Sequence, residues 1–335
     1  MTALAMSDPA SLPIVAERYQ LLSELGRGGF AAVYEAFDLR LCRTVAVKLL
    51  RGNKNDPQAP RRLAREARAA ASINHPNVCS VMDVGALDDG TPFLVMERLR
   101  GETLYDRIAR DRQLDPELAV DVALQTLFGL HAAHELGFVH RDVKPDNIFL
   151  VPRVDAMPLV KLLDFGMCKR ATSIAAAAQP FGEATLTRVG TVVGTPEYMA
   201  PEQASGGRVF DARIDVFAVG VVLYEALTGR RAFKGPDVKS VLMSVLQKSL
   251  PSLSEVRPGL PTALDRVVAR AVERDPRCRY ATAREFMRDL LVVQTIRADR
   301  RRDAARGPTE SGMHGTANEW DLPTQRYTRQ TRARA

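Results

Sequence analysis

Between Tyr19 and Leu50 the chain runs in short apolar stretches: Tyr19-Gln20-Leu21-Leu22, Ala32-Val33-Tyr34-Glu35-Ala36 and Thr44-Val45-Ala46-Val47-Lys48-Leu49. Runs of this length, rich in β-branched and aromatic residues and joined by tight connections, predict an antiparallel sheet. Arg61 to Ser72 is rich in Ala and Arg and free of Gly and Pro, which predicts a helix that stops before His75-Pro76-Asn77. Two further strands are predicted around Val78–Val84 and Phe93–Met96. After Gly101 the texture turns helical. Asp115 is suited to cap a helix, Pro116 to open it and Glu117 to its first turn; Leu118, Val122, Leu127 and Leu130 follow, with an end near Gly137. Val139 to Leu163 reads as loop and short strands. Asp164 to Pro201 is long, rich in Thr, Ala and Gly, and poorly periodic, the kind of connection that is usually functional or mobile. Ile214 to Leu227 predicts a buried apolar helix, and more helices follow to about Ile296. The outline is α+β: a small β-rich lobe, a larger helical lobe and a basic tail, with no internal repeat.

Composition narrows this picture only slightly. With 335 residues the chain suits one two-lobed enzyme or two small domains. Its 46% hydrophobic and 26% charged residues are ordinary for a globular protein. The formal net charge is +7, with a pI near 9.4. The tail from Arg297 to Ala335 holds nine Arg and five acidic residues, so about +4 of that excess sits there. A basic tail explains the charge without a nucleic-acid face, and no nucleic-acid partner is expected. Cys42, Cys79, Cys168 and Cys278 are scattered, without CxxC spacing or a matching His pair. That argues against a zinc site and a disulfide framework and fits a reducing compartment. No apolar run approaches the roughly 20 residues of a membrane span. Met1 to Val15 lacks the charged-then-apolar pattern of a secretory signal. The expected location is cytoplasmic.

Four short motifs carry chemistry. Gly26-Arg27-Gly28-Gly29-Phe30-Ala31-Ala32-Val33 places glycines between two strands, where backbone N–H groups can approach a bulky anion, although a plain hairpin turn would look similar. Val45-Ala46-Val47-Lys48 ends an apolar strand on a lysine. If that lysine points inward it needs a counter-charge, and Glu66 is the natural candidate. His140-Arg141-Asp142-Val143-Lys144-Pro145-Asp146-Asn147 offers a proton acceptor, oxygen ligands for a divalent cation and a cation within eight residues. Those are the needs of phosphoryl transfer to a hydroxyl. Asp164-Phe165-Gly166 follows apolar Leu162-Leu163 and suits a metal ligand at a strand end.

Taken in order, and completed by Ala200-Pro201-Glu202 within Gly194-Thr195-Pro196-Glu197-Tyr198-Met199, these motifs resemble the eukaryotic-type (Hanks-type) Ser/Thr protein kinases, in the style of their bacterial branch. The resemblance covers roughly Tyr19 to Ile296. It implies a two-lobed protein-kinase-like fold: a flexible segment over 1–17, a kinase domain over 18–296 (small lobe about 18–96, hinge 97–100, large lobe 101–296) and a basic, disordered tail over 297–335. It implies ATP and Mg²⁺, with Mn²⁺ as an alternative, and protein substrates bearing Ser or Thr acceptors.

The residue roles come with the resemblance. Asp142 looks like the catalytic base, and Asn147 and Asp164 like the Mg²⁺ ligands. Lys48 would touch the α- and β-phosphates and pair with Glu66, and Lys144 would steady the γ-phosphate. Leu25 to Val33 would cover the nucleotide. Leu25, Val33, Ala46 and Phe149 would sandwich adenine, with Met96 as gatekeeper and the hinge Glu97–Leu99 binding the base. His140 would brace the catalytic loop, Asp215 would anchor it, and Glu202 and Arg279 would form a buried ion pair. Arg141 would hold a phosphorylated activation loop, with Thr187, Thr191 and Thr185 as sites of autophosphorylation. Thr195 would contact the catalytic loop. Lys144-Pro145 and Gly194-Thr195-Pro196 resemble the Ser/Thr branch.

One departure is visible: Ala31 stands where the family's third loop glycine would be, which predicts at most weaker nucleotide clamping. His131 and His134 have helical spacing, but no third ligand is evident, so a metal role is not assigned. Intact Lys48, Asp142, Asn147 and Asp164 argue against a non-catalytic scaffold. The long segment ending in Ala200-Pro201-Glu202 disfavours a small-molecule kinase. The absence of GxxxxGK[ST] excludes a Walker-type NTPase. A separate regulatory partner or the tail is the expected control.

Overall fold

The computed structural model describes residues 13–28, 31–50, 71–164, 169–170, 195–207 and 210–306. Glu66, Gly29, Phe30, Thr185, Thr187 and Thr191 therefore lie outside the described residues, as do Phe165 and Gly166.

Six antiparallel strands form the first sheet: β1 (Ile14–Val15), β2 (Tyr19–Arg27), β3 (Ala31–Asp38), β4 (Arg43–Leu50), β5 (Val81–Ala86) and β6 (Pro92–Glu97). Their spatial order is β1-β2-β3-β4-β6-β5. Strand pleating divides the apolar positions of β4 between two faces. Val45 and Val47 are fully buried in one cluster with Val15, Tyr19, Leu21, Ala36, Phe93 and Val95. Ala46 and Lys48 point to the opposite face. Their cross-strand neighbours there are Met96 for Ala46, and Val33 and Leu94 for Lys48.

β1 corrects the expectation of a flexible lead-in for residues 13–17; residues 1–12 lie outside the described residues. Ile14 pairs with Gln20 and Val15 with Tyr19, and Val15 is buried in the sheet's core. Two residues are too few to show an alternating pattern, and they fold back through Ala16 and Glu17, both at positive φ.

The second lobe follows β7 (Glu102–Thr103). It begins with α1 (Leu104–Asp111), whose Thr103 and Asp106 form a reciprocal capping box. α2 (Pro116–Glu135) is capped by Asp115, whose side chain accepts from the Glu117 amide at 2.7 Å. β8 (Phe138–Val139), β9 (Ile148–Arg153), β10 (Ala156–Leu162) and β11 (Lys169–Arg170) make two small sheets, β10-β9-β7 and β11-β8. α3 (Pro201–Ala204) and α4 (Arg213–Thr228) follow, then α5 (Val238–Gln247), α6 (Leu253–Val256), α7 (Thr262–Ala271) and α8 (Ala283–Arg306).

α4 is buried from Ile214 to Thr228 on every face, as its all-round apolar sequence dictates. It ends at Gly229, whose φ of 65° is the left-handed conformation that closes a helix. α2 packs on both α4 and β10. Gly129 permits the β10 side of this packing, because a Cβ there would meet the Asn77 carbonyl and the Leu162 side chain at 2.9 Å each.

The chain divides into two units, 1–296 and 297–335. The helical backbone of α8 continues to Arg306, so residues 297–306 are not the disordered stretch expected of the tail. Their Ala- and Arg-rich sequence favours helix, and Gly307-Pro308 lies just beyond it.

Candidate active site

The segment His140–Asn147 joins β8 to β9, with its last residues in a short 3-10 turn, Pro145–Asn147. Its shape is set from below. Asp215, in the first turn of α4, is 1% exposed. Its Oδ2 accepts from the His140 amide and its Oδ1 from the Arg141 amide, each at 2.9 Å. A third contact comes from α2: His134 Nε2 lies 2.8 Å from Asp215 Oδ2. A carboxylate only accepts, so this nitrogen carries the proton. Burial pushes the Asp215 carboxyl up; the His134 hydrogen bond, the charges of His134 and His140 and the Arg141 amide outweigh it, and the group lies below its ordinary range. This anchoring holds Arg141 at φ 72°, a conformation costly for a non-glycine residue.

The side chains above that anchor converge. Asn147 Nδ2 donates to the Asp142 carbonyl at 2.8 Å and to Asp142 Oδ2 at 3.0 Å. Lys144 Nζ lies 3.0 Å from the same Oδ2 and donates to Thr195 Oγ1 at 3.2 Å. His140 Nε2 meets the Leu163 carbonyl at 2.9 Å, which fixes the chain just ahead of Asp164. Asp164 itself sits at φ 59° with its carboxylate paired to Lys48 Nζ. The two lobes thus meet through Lys48 and Asp164. The expected Lys48 partner, Glu66, lies outside the described residues.

The donor set suits a hard divalent cation. Asn147 spends its amide nitrogen on Asp142, which leaves Oδ1 as a neutral oxygen donor. Asp164 supplies a partly exposed carboxylate. Magnesium takes one or two protein oxygens of this kind and fills its remaining positions with water and phosphate. Among the described residues no cluster of three or more His, Cys, Asp or Glu could hold a metal by itself. His131 and His134 do not cooperate: His131 Nδ1 is 3.8 Å from Glu135, whereas His134 serves Asp215.

The remaining described positions predicted from the sequence are placed as follows. Gly26 pairs with Val33 and Arg27 with Ala32, and the Gly28 amide donates to the Ala31 carbonyl at 2.8 Å, so the described part of the Gly-rich segment is a paired hairpin. Arg27 is engaged by Glu24. Leu25 is exposed; Ala46 is buried and lies opposite half-buried Met96. Phe149 is half-buried on β9, opposite Thr103. At 97–99, the Glu97 amide donates to the Ser80 carbonyl at 3.0 Å, and the Arg98 guanidinium touches the Leu99 carbonyl. Farther down, Arg279 grips Glu202 with two parallel bonds of 2.7 and 2.8 Å and stacks 4.8 Å over Phe217.

Two features carried no sequence signal. Lys161, on β10, is 9% exposed and pairs with Glu97 at 2.7 Å, and Glu97 Oε1 also accepts from the Ser80 amide at 2.8 Å. An inward lysine two positions before Leu163 could be read equally well as an exposed strand residue. Cys79, buried beside this pair, is an inert thiol: burial, and then the Glu97 charge, push it up to about 12.

Comparison with known proteins agrees with this geometry. The family model described as "Protein kinase domain" matches residues 19–295, and the chain belongs to that family. It is 37% identical over 280 residues to the serine/threonine-protein kinase PrkC of Bacillus subtilis, covering 83% of this chain and 41% of that protein. It is 38% identical over 294 residues to the serine/threonine-protein kinase pkn3 of Myxococcus xanthus, covering 87% and 52%. It is 39% identical over 292 residues to the serine/threonine-protein kinase PknB of Mycobacterium tuberculosis, covering 86% and 44%. The chain therefore spans about half the length of these relatives or less. The crystal structure of the Mycobacterium tuberculosis PknI kinase domain superposes with a TM-score of 0.65 at 26% identity, over 85% of this chain and 99% of that one. Its two-lobed architecture is the one described above. Among the described residues, no helix is long and apolar enough to cross a membrane.

Proposed function

We propose that this protein is a serine/threonine protein kinase that transfers the γ-phosphate of ATP to Ser and Thr hydroxyls of protein substrates. The observation that carries the reading is the convergence of Asp142, Lys144, Asn147 and the Lys48–Asp164 pair at the lobe junction. In this reading Asp142 accepts or orients the proton of the attacking hydroxyl. Lys144, already on Asp142 and Thr195, turns toward the transferred phosphoryl group. Lys48 binds the α- and β-phosphates. Ala46, Val33, Leu25 and Phe149 enclose adenine behind Met96, and the backbone of Glu97–Leu99 reads its edge. Asn147 and Asp164 hold Mg²⁺, or Mn²⁺ in its place, which neutralises phosphate charge when bound. The relatives' names support Ser and Thr as acceptors.

Regulation by autophosphorylation at Thr185, Thr187 or Thr191, pairing with Arg141, belongs to the same reading, as does control by a separate partner. A cytoplasmic catalytic domain fits it.

The test is incubation with Mg²⁺ and labelled ATP beside an Asp142→Asn variant, followed by phosphosite mapping. Wild-type protein should acquire phosphothreonine or phosphoserine. The variant should lose about a hundredfold to ten-thousandfold in rate, the range for removing a general base, while still binding nucleotide. Equal labelling of both would exclude the assignment of Asp142.

A further inference from the structure

Thr195, in contact with Lys144, opens a short 3-10 turn, Pro196–Tyr198, that continues away from Asp142. This turn carries two side chains whose partners lie in the last turn of α4 and just beyond it. The Tyr198 hydroxyl donates to Glu225 Oε2 at 2.5 Å, and Glu225 is 6% exposed. Glu197 Oε1 accepts from Arg231 Nη1 at 2.8 Å. Asp146, exposed on the 3-10 turn of the catalytic loop, contributes to the field felt by both Tyr198 and Glu225. A polypeptide with its hydroxyl at Asp142 lies close to this turn, because Thr195 and Asp142 share Lys144. The charges presented there therefore select the residues that flank the acceptor.

Taken without Arg231, the patch is acidic through Glu197 and exposed Asp146, while Glu225 is buried against the Tyr198 hydroxyl and is not presented. It would attract a cationic substrate residue. The chain supplies that cation itself. Arg231 lies three residues past the end of α4, its side chain about half exposed, and seats its guanidinium on Glu197, which is only 15% exposed. An internal guanidinium already in place shows which chemical group the acid accepts, and it removes that acid from substrate recognition.

We propose that Arg231 is a specificity-determining residue that neutralises Glu197, so that the enzyme has little preference for basic residues beside the phosphorylated hydroxyl. Its accepted substrates are neutral or mixed in charge at those positions. Removing Arg231 releases Glu197 and turns the enzyme toward basic substrates. Removing the charge of Glu197 while Arg231 stays leaves a net cation and turns it toward acidic ones. The inference rests on the kinase reading.

The test uses three synthetic peptides, identical except that the residues flanking one acceptor threonine are Arg, Ala or Glu. The readout is the ratio of kcat/KM for the Arg peptide to that for the Ala peptide, taken within each enzyme. Wild type should give a ratio near one. Arg231→Ala should raise it about threefold to fivefold, the range of one exposed charge pair, and Glu197→Gln should lower it below the wild-type value. The double variant should return toward wild type. An unchanged ratio in Arg231→Ala, or shifts of the same sign in both single variants, would overturn the proposal. If Arg231→Ala does not fold, Glu197→Gln alone decides, since an unchanged ratio there is equally fatal. Absence of transfer from wild type to any peptide and to itself would count against the kinase reading, which separates that failure from this one.

Discussion

His134 and Asp215, 81 residues apart in sequence, meet at 2.8 Å beneath the His140–Asn147 segment. The histidine completes the coordination of a buried carboxylate that also holds two loop amides. Replacing it with alanine leaves that carboxylate short of one donor. His134→Ala should lower stability by about 1–3 kcal/mol, measured by urea denaturation. Asp215→Asn should do more harm to the rate, because an amide has one acceptor oxygen for two N–H groups.

The Glu202–Arg279 pair holds together the base of the large lobe. The Arg279 side chain is fully buried, and it also donates to the carbonyls of Arg274 and Arg213 at 2.9 and 3.4 Å. Arg279→Ala strands Glu202 and should cost about 3 kcal/mol or more. Replacing both partners with apolar residues should recover part of that loss. A cycle of the two single variants and the double variant, read by denaturation, checks both statements.

Acid should act on the first sheet through Asp38. The hydrogen bond from Arg18 and the amides of Leu41 and Arg40 outweigh burial and bring this carboxyl down to about 2. Its unfolded value is near 4. The folded state thus holds the proton less tightly, and the stabilisation is complete above about pH 4 and lost as pH falls toward 2. The difference in melting temperature between wild type and Asp38→Asn should shrink over that window. A difference that stays constant from pH 6 to pH 2 would refute the assignment.

Thr195 positions Lys144 through a 3.2 Å hydrogen bond. Thr195→Val keeps the side chain's shape and removes the hydroxyl. The expected result is a fall in kcat of about tenfold, one lost hydrogen bond to a charged group, with the KM for ATP little changed. Steady-state kinetics with ATP varied separates this from a nucleotide-binding defect.

Much of this arrangement was legible in the chain. Local patterns placed β3, β4 and β6 to within about two residues, and the cap at Asp115 marks a helix start that turn chemistry alone explains. The motif residues gather because each sits at the end of a regular element: Lys48 on β4, Asp142 after β8, Asp164 after β10. What stayed hidden depends on tertiary partners. The His131/His134 spacing does not reveal that one ring faces Glu135 and the other Asp215. Nothing local distinguishes Lys161 from an exposed strand lysine, because Glu97 reaches it from 64 residues away. β1 escaped notice because two residues have no period.

That lysine also joins the first sheet to the second lobe. Lys161 lies on the strand that leads to Asp164, and Glu97 stands where the first sheet hands over to the second lobe. The 2.7 Å contact ties the strand that carries Asp164 at its end to the last residue of the first sheet. Breaking the contact means separating two opposite charges largely shielded from water, and salt in the medium has limited access to them.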